Sequence, residues 1–125
     1  MPFDQTEPIV HRTEELYRKR LLGLCRVLES VEDGAFDLRD WARNGSCDSV
    51  ACAVGWAIRD DWFGEQGLTR EGRSPAYGGL TGWKAVRAFF GLSRDEAFYL
   101  FHVGKYDDAT RPVVLDRIRH FAASR

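Results

Sequence analysis

From Val50 to Ile58 the chain reads VACAVGWAI, nine residues without a charge and with Trp56 as their one large aromatic side chain. A helix that is apolar on nearly every face has to be enclosed by other elements. The run therefore predicts a central buried helix over about 48–61, capped by Asp48 or Ser49 and ending in the charges of Arg59, Asp60 and Asp61. Ala51 and Gly55 lie four residues apart on this helix, so a neighbour can approach closely on their side. Glycine inside a helix costs about 1 kcal/mol relative to alanine, a loss that close packing offsets.

The rest of the chain supplies the elements that would enclose it. Tyr17, Leu21, Leu24, Leu28 and Val31 recur at spacings of four and three, which is one apolar face of a helix over Thr13 to Glu32. Asp33-Gly34 stops that helix, and residues 1–12 are expected as a flexible lead-in. Asp37 reads as the N-cap of a short helix to Ala42, closed by Asn44-Gly45. The stretch WFGEQGLTREGRSPAYGGL, 62–80, carries five glycines and Pro75 and reads as a long loop. Thr81 is the expected cap of a helix through Phe90, and Gly91-Leu92 turns the chain. Ser93 and Glu96 form a capping box for a helix to about His102. Thr110 caps a last helix that tolerates Pro112 in its first turn and turns Val114, Leu115, Ile118 and Phe121 inward. No alternating strand of useful length is visible. The expectation is a single compact all-α domain over 1–125, five or six helices around the central one.

Bulk properties narrow the function classes. A chain of 125 residues with 44% hydrophobic residues suffices for one core. Eighteen Lys plus Arg against nineteen Asp plus Glu give a net charge of -1, so there is no general attraction to nucleic acid or to an anionic membrane. The start, Met1 to Gln5, has neither a basic nor an apolar signal region, and no apolar run nears the roughly 20 residues that span a bilayer. Three cysteines without framework spacing point to free thiols in a reducing cytoplasm.

Cys47 and Cys52 invite sharper readings. The stretch GSCDSVAC resembles the Gly-Ser-Cys of papain-like proteases, and FHVGKY at 101–106 resembles the His-bearing strand of related cell-wall peptidases. A thiol at a helix N-terminus is more acidic than usual, which makes Cys47 or Cys52 with His102 the alternative reading, a thiol-dependent hydrolase. Against it, His102 ends a helical pattern, no strands supply that family's sheet, and Asp48 opposes a thiolate at Cys47. Cys47, Cys52, His102 and His120 are four imaginable zinc ligands, but a lone Cys-x4-Cys and two distant histidines lack the paired spacing of such sites. No metal or cofactor is expected. A disulfide between Cys47 and Cys52 requires Cys47 to fold back outside the helix. With Cys52 in the first turns of a buried helix, a serine there would cost more than an alanine, because its hydroxyl would lack a partner. AVRAFFGLSRDEAFYLF has the outline of a helix-turn-helix, yet its second helix offers Asp95 and Glu96 where a DNA reader needs Arg, Lys, Asn or Gln.

Four stretches together carry a family likeness. FDLRDW, SCDSVACAVGWAI, FFGLSRDEAFYLF and Thr110 with VVLDRI resemble a family of short bacterial and phage-associated proteins to which no activity is assigned. Its pattern pairs Cys-x4-Cys-x2-Gly-Trp/His-Ala with a later Phe-Phe-Gly-Leu-Ser-x2-Glu-Ala-x2-Leu-Phe, over about 36–120 here. The resemblance implies an all-α cytoplasmic protein and leaves the role of Cys47 and Cys52 open. Relatives often lack the histidine after Leu-Phe, which implies that His102 is incidental.

The functional expectation is a non-enzymatic cytoplasmic module that binds a protein or a small ligand, with a homodimer allowed and neither nucleic acid nor membrane as partner. The candidate ligand contacts are Trp41, Cys47, Cys52, Trp56, Arg70, Arg73 and Tyr77, an aromatic and arginine-bearing set around the 62–80 loop.

Overall fold

The computed structural model describes the backbone of residues 2–36, 52–72 and 74–125, and their side chains from Thr13 onward. The short helix expected at 37–42, its Asn44-Gly45 stop, and Trp41, Cys47, Asp48, Ser49, Ala51 and Arg73 lie outside the described residues.

Among the described residues, six α-helices and a small sheet are arranged in the order α1 (Pro2–Glu29), α2 (Ala53–Ile58), α3 (Asp61–Glu65), β1 (Thr69–Glu71), β2 (Ser74–Tyr77), β3 (Leu80–Thr81), α4 (Gly82–Phe90), α5 (Arg94–Phe101) and α6 (Arg111–Ser124). The three-to-four spacing read along α1 is its buried face: Leu21, Leu24 and Leu28 are fully buried, with Val31 just beyond the helix. This face runs along α6, which buries Val114, Leu115, Ile118 and Ala122. The helix begins at Pro2, so it includes the backbone of the segment expected as a lead-in.

The capping box of α5 is formed as its sequence requires. The Ser93 N–H donates to the Glu96 carboxylate at 2.8 Å, and the Glu96 N–H donates to Ser93 Oγ at 3.1 Å. Thr81 and Thr110 do stand at the N-caps of α4 and α6, but neither side chain makes the cap bond.

Two expectations need correction. The central helix does not run unbroken over 48–61. Cys52 is extended and acts as N-cap of α2, and Asp60 is extended and caps α3. Asp60 Oδ2 accepts the N–H of Trp62 at 3.1 Å, so the carboxylate opens a new helix instead of closing the old one. What persists is the enclosure: Ala53, Val54, Gly55 and Ala57 are all buried.

Nor is the fold purely α. Residues 69–81 form a three-stranded antiparallel sheet in the order β1-β2-β3, which packs on α4. Thr69 pairs with Ala76, Arg70 with Pro75 and Glu71 with Ser74; Ala76 then pairs with Thr81 and Tyr77 with Leu80. Gly78 and Gly79 have φ of 58° and 84°, both left-handed, as the tight two-residue hairpin turn demands. The glycines that broke the helical pattern thus build a meander, not an irregular loop.

Helix C-termini leave carbonyls without partners, and here arginines supply the donors. Arg20 donates to the Phe89 carbonyl at 2.7 Å and Arg125 to that of Phe90 at 2.7 Å, both at the end of α4. Arg111 reaches the Leu28 carbonyl at the end of α1 at 3.0 Å, and Arg117 that of Tyr99 in α5 at 2.9 Å. Each cation also meets the negative end of a helix dipole. These four contacts tie α1 and α6 to the ends of their neighbours.

Candidate functional site

The second half of α1 and the turn after it border an open groove. Its other wall is the junction of α2 and α3. One hollow, of about 530 Å³, lies between Val27, Ser30, Val31, Glu32 and Ala35 on one side and Trp56, Arg59 and Asp60 on the other. A second, of about 430 Å³, is bordered by Lys19, Gly23, Arg26, Asp60 and Trp62. Asp60 belongs to both, so the hollows meet at its carboxylate.

The local sequence explains why these side chains hold their places. Trp56 Nε1 donates to the Ala35 carbonyl at 2.9 Å, and the Arg59 guanidinium lies 4.4 Å over the indole. One face of the ring is therefore fixed against protein while the residue remains half-buried. Trp62 meets the fully buried Phe63 edge-on at 5.0 Å. A Cβ on Gly23 would sit 3.2 Å from Trp62 Cζ3, so the missing side chain is what lets this indole pack directly against α1. Asp60 caps α3 and also pairs with Arg26 at 3.1 Å. The pair is over half exposed on the arginine side, which limits its stabilisation to about 1 kcal/mol or less.

The lining carries three cations (Lys19, Arg26, Arg59) and two carboxylates (Glu32, Asp60). Among the described residues Asp60 is already engaged by Arg26 and the α3 N-terminus, whereas no ion pair involves Lys19. Among the described residues, the lining of the second hollow thus carries more positive than negative charge.

The residues singled out by sequence go to different places. Trp56 lines the groove. Tyr77 does not: it sits on β2, edge-on to Phe89 at 5.1 Å and beneath Arg20, whose guanidinium is 5.6 Å away. Arg70 is exposed on β1, across from Pro75. Cys52 is buried, lines neither hollow, and its Sγ accepts the Gly55 N–H at 3.4 Å as the cap of α2. His102 closes α5 at a distance from any such role; its Nδ1 accepts the Gly104 N–H at 3.0 Å and its ring stacks on Trp83 at 5.9 Å. Among the described residues no group of three or more His, Cys, Asp or Glu side chains could hold a metal, and no helix is long and apolar enough to cross a membrane.

Sequence reasoning missed Lys19, Gly23, Arg26, Val27, Arg59 and Asp60 as groove residues. The available signal was the spacing 19, 23, 26, 30 on the polar side of α1, where a glycine interrupts charged and polar residues.

Comparison with protein-family models, characterised proteins and solved structures finds no match to this chain.

Proposed function

We propose that the protein is a non-enzymatic module of the cytoplasm that binds a short segment of a partner protein in the groove between α1 and the α2–α3 junction. The observation that supports this reading is the pair of adjoining hollows, each walled by a tryptophan on one side and by α1 on the other. Lys19 to Glu29 spans about 15 Å of helix, a length that four or five extended residues match. A single small molecule would fill one hollow; a peptide engages both. Val27, Val31 and Trp56 suit an apolar anchor, and the rest of the lining is polar, the usual division of a recognition groove. Kinship with the bacterial and phage-associated family that the two motifs resemble is part of the same proposal, and it brings no activity with it.

At Cys52 the thiol reading gains no comparable support, since that sulfur is committed to a helix cap and His102 to Gly104; Cys47 lies outside the described residues.

The test is selection of random peptides displayed on phage against the purified protein, followed by affinity measurement of each recovered peptide. Ser30 is exposed at the edge of the first hollow, so Ser30→Arg fills it without touching the core. Recovered peptides should bind the parent and lose most of their affinity for Ser30→Arg. Peptides that bind both alike would place recognition elsewhere.

A further inference from the structure

We infer that the hollow bordered by Lys19, Gly23, Arg26 and Trp62 is a subsite for a carboxylate carried next to an aromatic or apolar group, such as an acidic residue flanked by an aromatic one in the bound segment. This rests on the groove being a binding site and adds the chemistry that it reads.

Three independent features converge on it. Lys19 and Arg26 are seven residues apart, two turns of α1, and so project from the same face. Gly23 lies between them, and its missing Cβ lets the Trp62 ring come up against α1 between the two cations, where it forms part of the lining. Asp60, the sole carboxylate among the described residues that line this hollow, does not neutralise it: one oxygen already accepts from both the Trp62 N–H and Arg26. Among the described residues Lys19 enters no ion pair, so its ammonium is the group with unspent capacity. An indole beside two cations suits a ligand that carries an aromatic group next to a carboxylate. A cationic ligand meets repulsion at this place, and a neutral one leaves Lys19 unused.

The probes are phenylacetate and its uncharged amide, phenylacetamide, titrated into the isotopically labelled protein by NMR. Phenylacetate should shift the Gly23 amide and the Trp62 indole N–H with saturation, and phenylacetamide should not. Lys19→Gln should weaken phenylacetate roughly two- to five-fold, the range of an exposed charge contact, and Lys19→Arg should restore it. Equal shifts from acid and amide, no shift at either position, or unchanged binding in Lys19→Gln overturns the inference. Its failure is separable from that of the groove itself. Library peptides sensitive to Ser30→Arg but without acidic residues would uphold the groove and sink the subsite. Phenylacetate binding at Trp62 together with peptides indifferent to Ser30→Arg would do the reverse.

Discussion

Arg20 donates to the carbonyl of Phe89 at 2.7 Å while its guanidinium carbon lies 4.1 Å over the ring of the same residue. Its second amine reaches Gln66 Oε1 at 3.3 Å, and the residue is only 5% exposed. No carboxylate balances this buried charge among the described residues. The end of the α4 dipole and the faces of Phe89 and Tyr77 take that part.

Arg20→Met keeps the stem packing but leaves the Phe89 carbonyl without its donor, at an expected cost of about 1–3 kcal/mol. Arg20→Lys should do no better. An ammonium cannot fork to Phe89 and Gln66 at once, nor stack as a plane between rings. Urea unfolding of both variants checks this, and a lysine variant as stable as the parent would show that the fork is not used.

Gly91 closes α4 with φ of 64° and ψ of 49°, and its α-carbon lies under the ring of Tyr17. A Cβ there would come closer to Tyr17 than real side chains approach one another. Gly72 has the same φ of 64° but nothing within 4 Å. Gly72→Ala should therefore cost only the left-handed backbone penalty of about 1–2 kcal/mol. Gly91→Ala should cost about 1–3 kcal/mol more through overpacking. Adding Tyr17→Ala should recover part of the excess in a double-mutant cycle. Equal losses at the two glycines would contradict the contact.

The helices that carry the core were legible because burial on one face imposes a spacing of three and four, as in Leu21, Leu24 and Leu28, and because Ser93 and Glu96 cap locally. The sheet was not. Its strands have two to four residues, and β1 is exposed throughout, so no alternation between two faces could appear. Gly78-Gly79 was the available hairpin signal, and it was read only as a break in helix. The break at Asp60 was equally present in sequence, since an aspartate just after an apolar run caps the following helix as readily as it ends the preceding one. The groove was hidden for a different reason. Periodicity marks the face of α1 that is buried, while Lys19, Gly23 and Arg26 acquire meaning only when Asp60 and Trp62 fold across from them.

Cys52 reverses an expectation drawn from burial alone. A serine in its place was expected to strand a hydroxyl, yet the residue is an N-cap whose side chain already accepts the Gly55 N–H. Serine is among the best residues at that position and alanine among the poorest. Cys52→Ala should lose about 1 kcal/mol, and Cys52→Ser should fall between alanine and the parent or above both. Melting of the two variants side by side decides it; a serine variant less stable than the alanine one would mean that packing of the sulfur outweighs the cap.

Cys25 provides a pH dependence whose sign can be worked out. Its thiol is buried between α1 and its neighbours, and burial pushes it up to about 11 from an ordinary value of 9.0. The Arg119 guanidinium pulls the other way and Glu29 adds to the rise. Because the neutral form is the protonated one, the folded chain holds this proton more tightly than the unfolded chain. The contribution to stability is then fully present below pH 9 and is lost as pH rises towards 11. The useful quantity is a difference between two proteins, because it cancels every group that they share. Cys25→Ala removes the thiol and should lose less stability than the parent between those two pH values, although it starts lower from the lost buried sulfur. Parallel denaturant titrations across the alkaline range measure both slopes. Identical slopes would mean that Cys25 ionises as readily in the folded chain as in the unfolded one, and the thiol would then have to be reached by solvent through the α1–α6 interface.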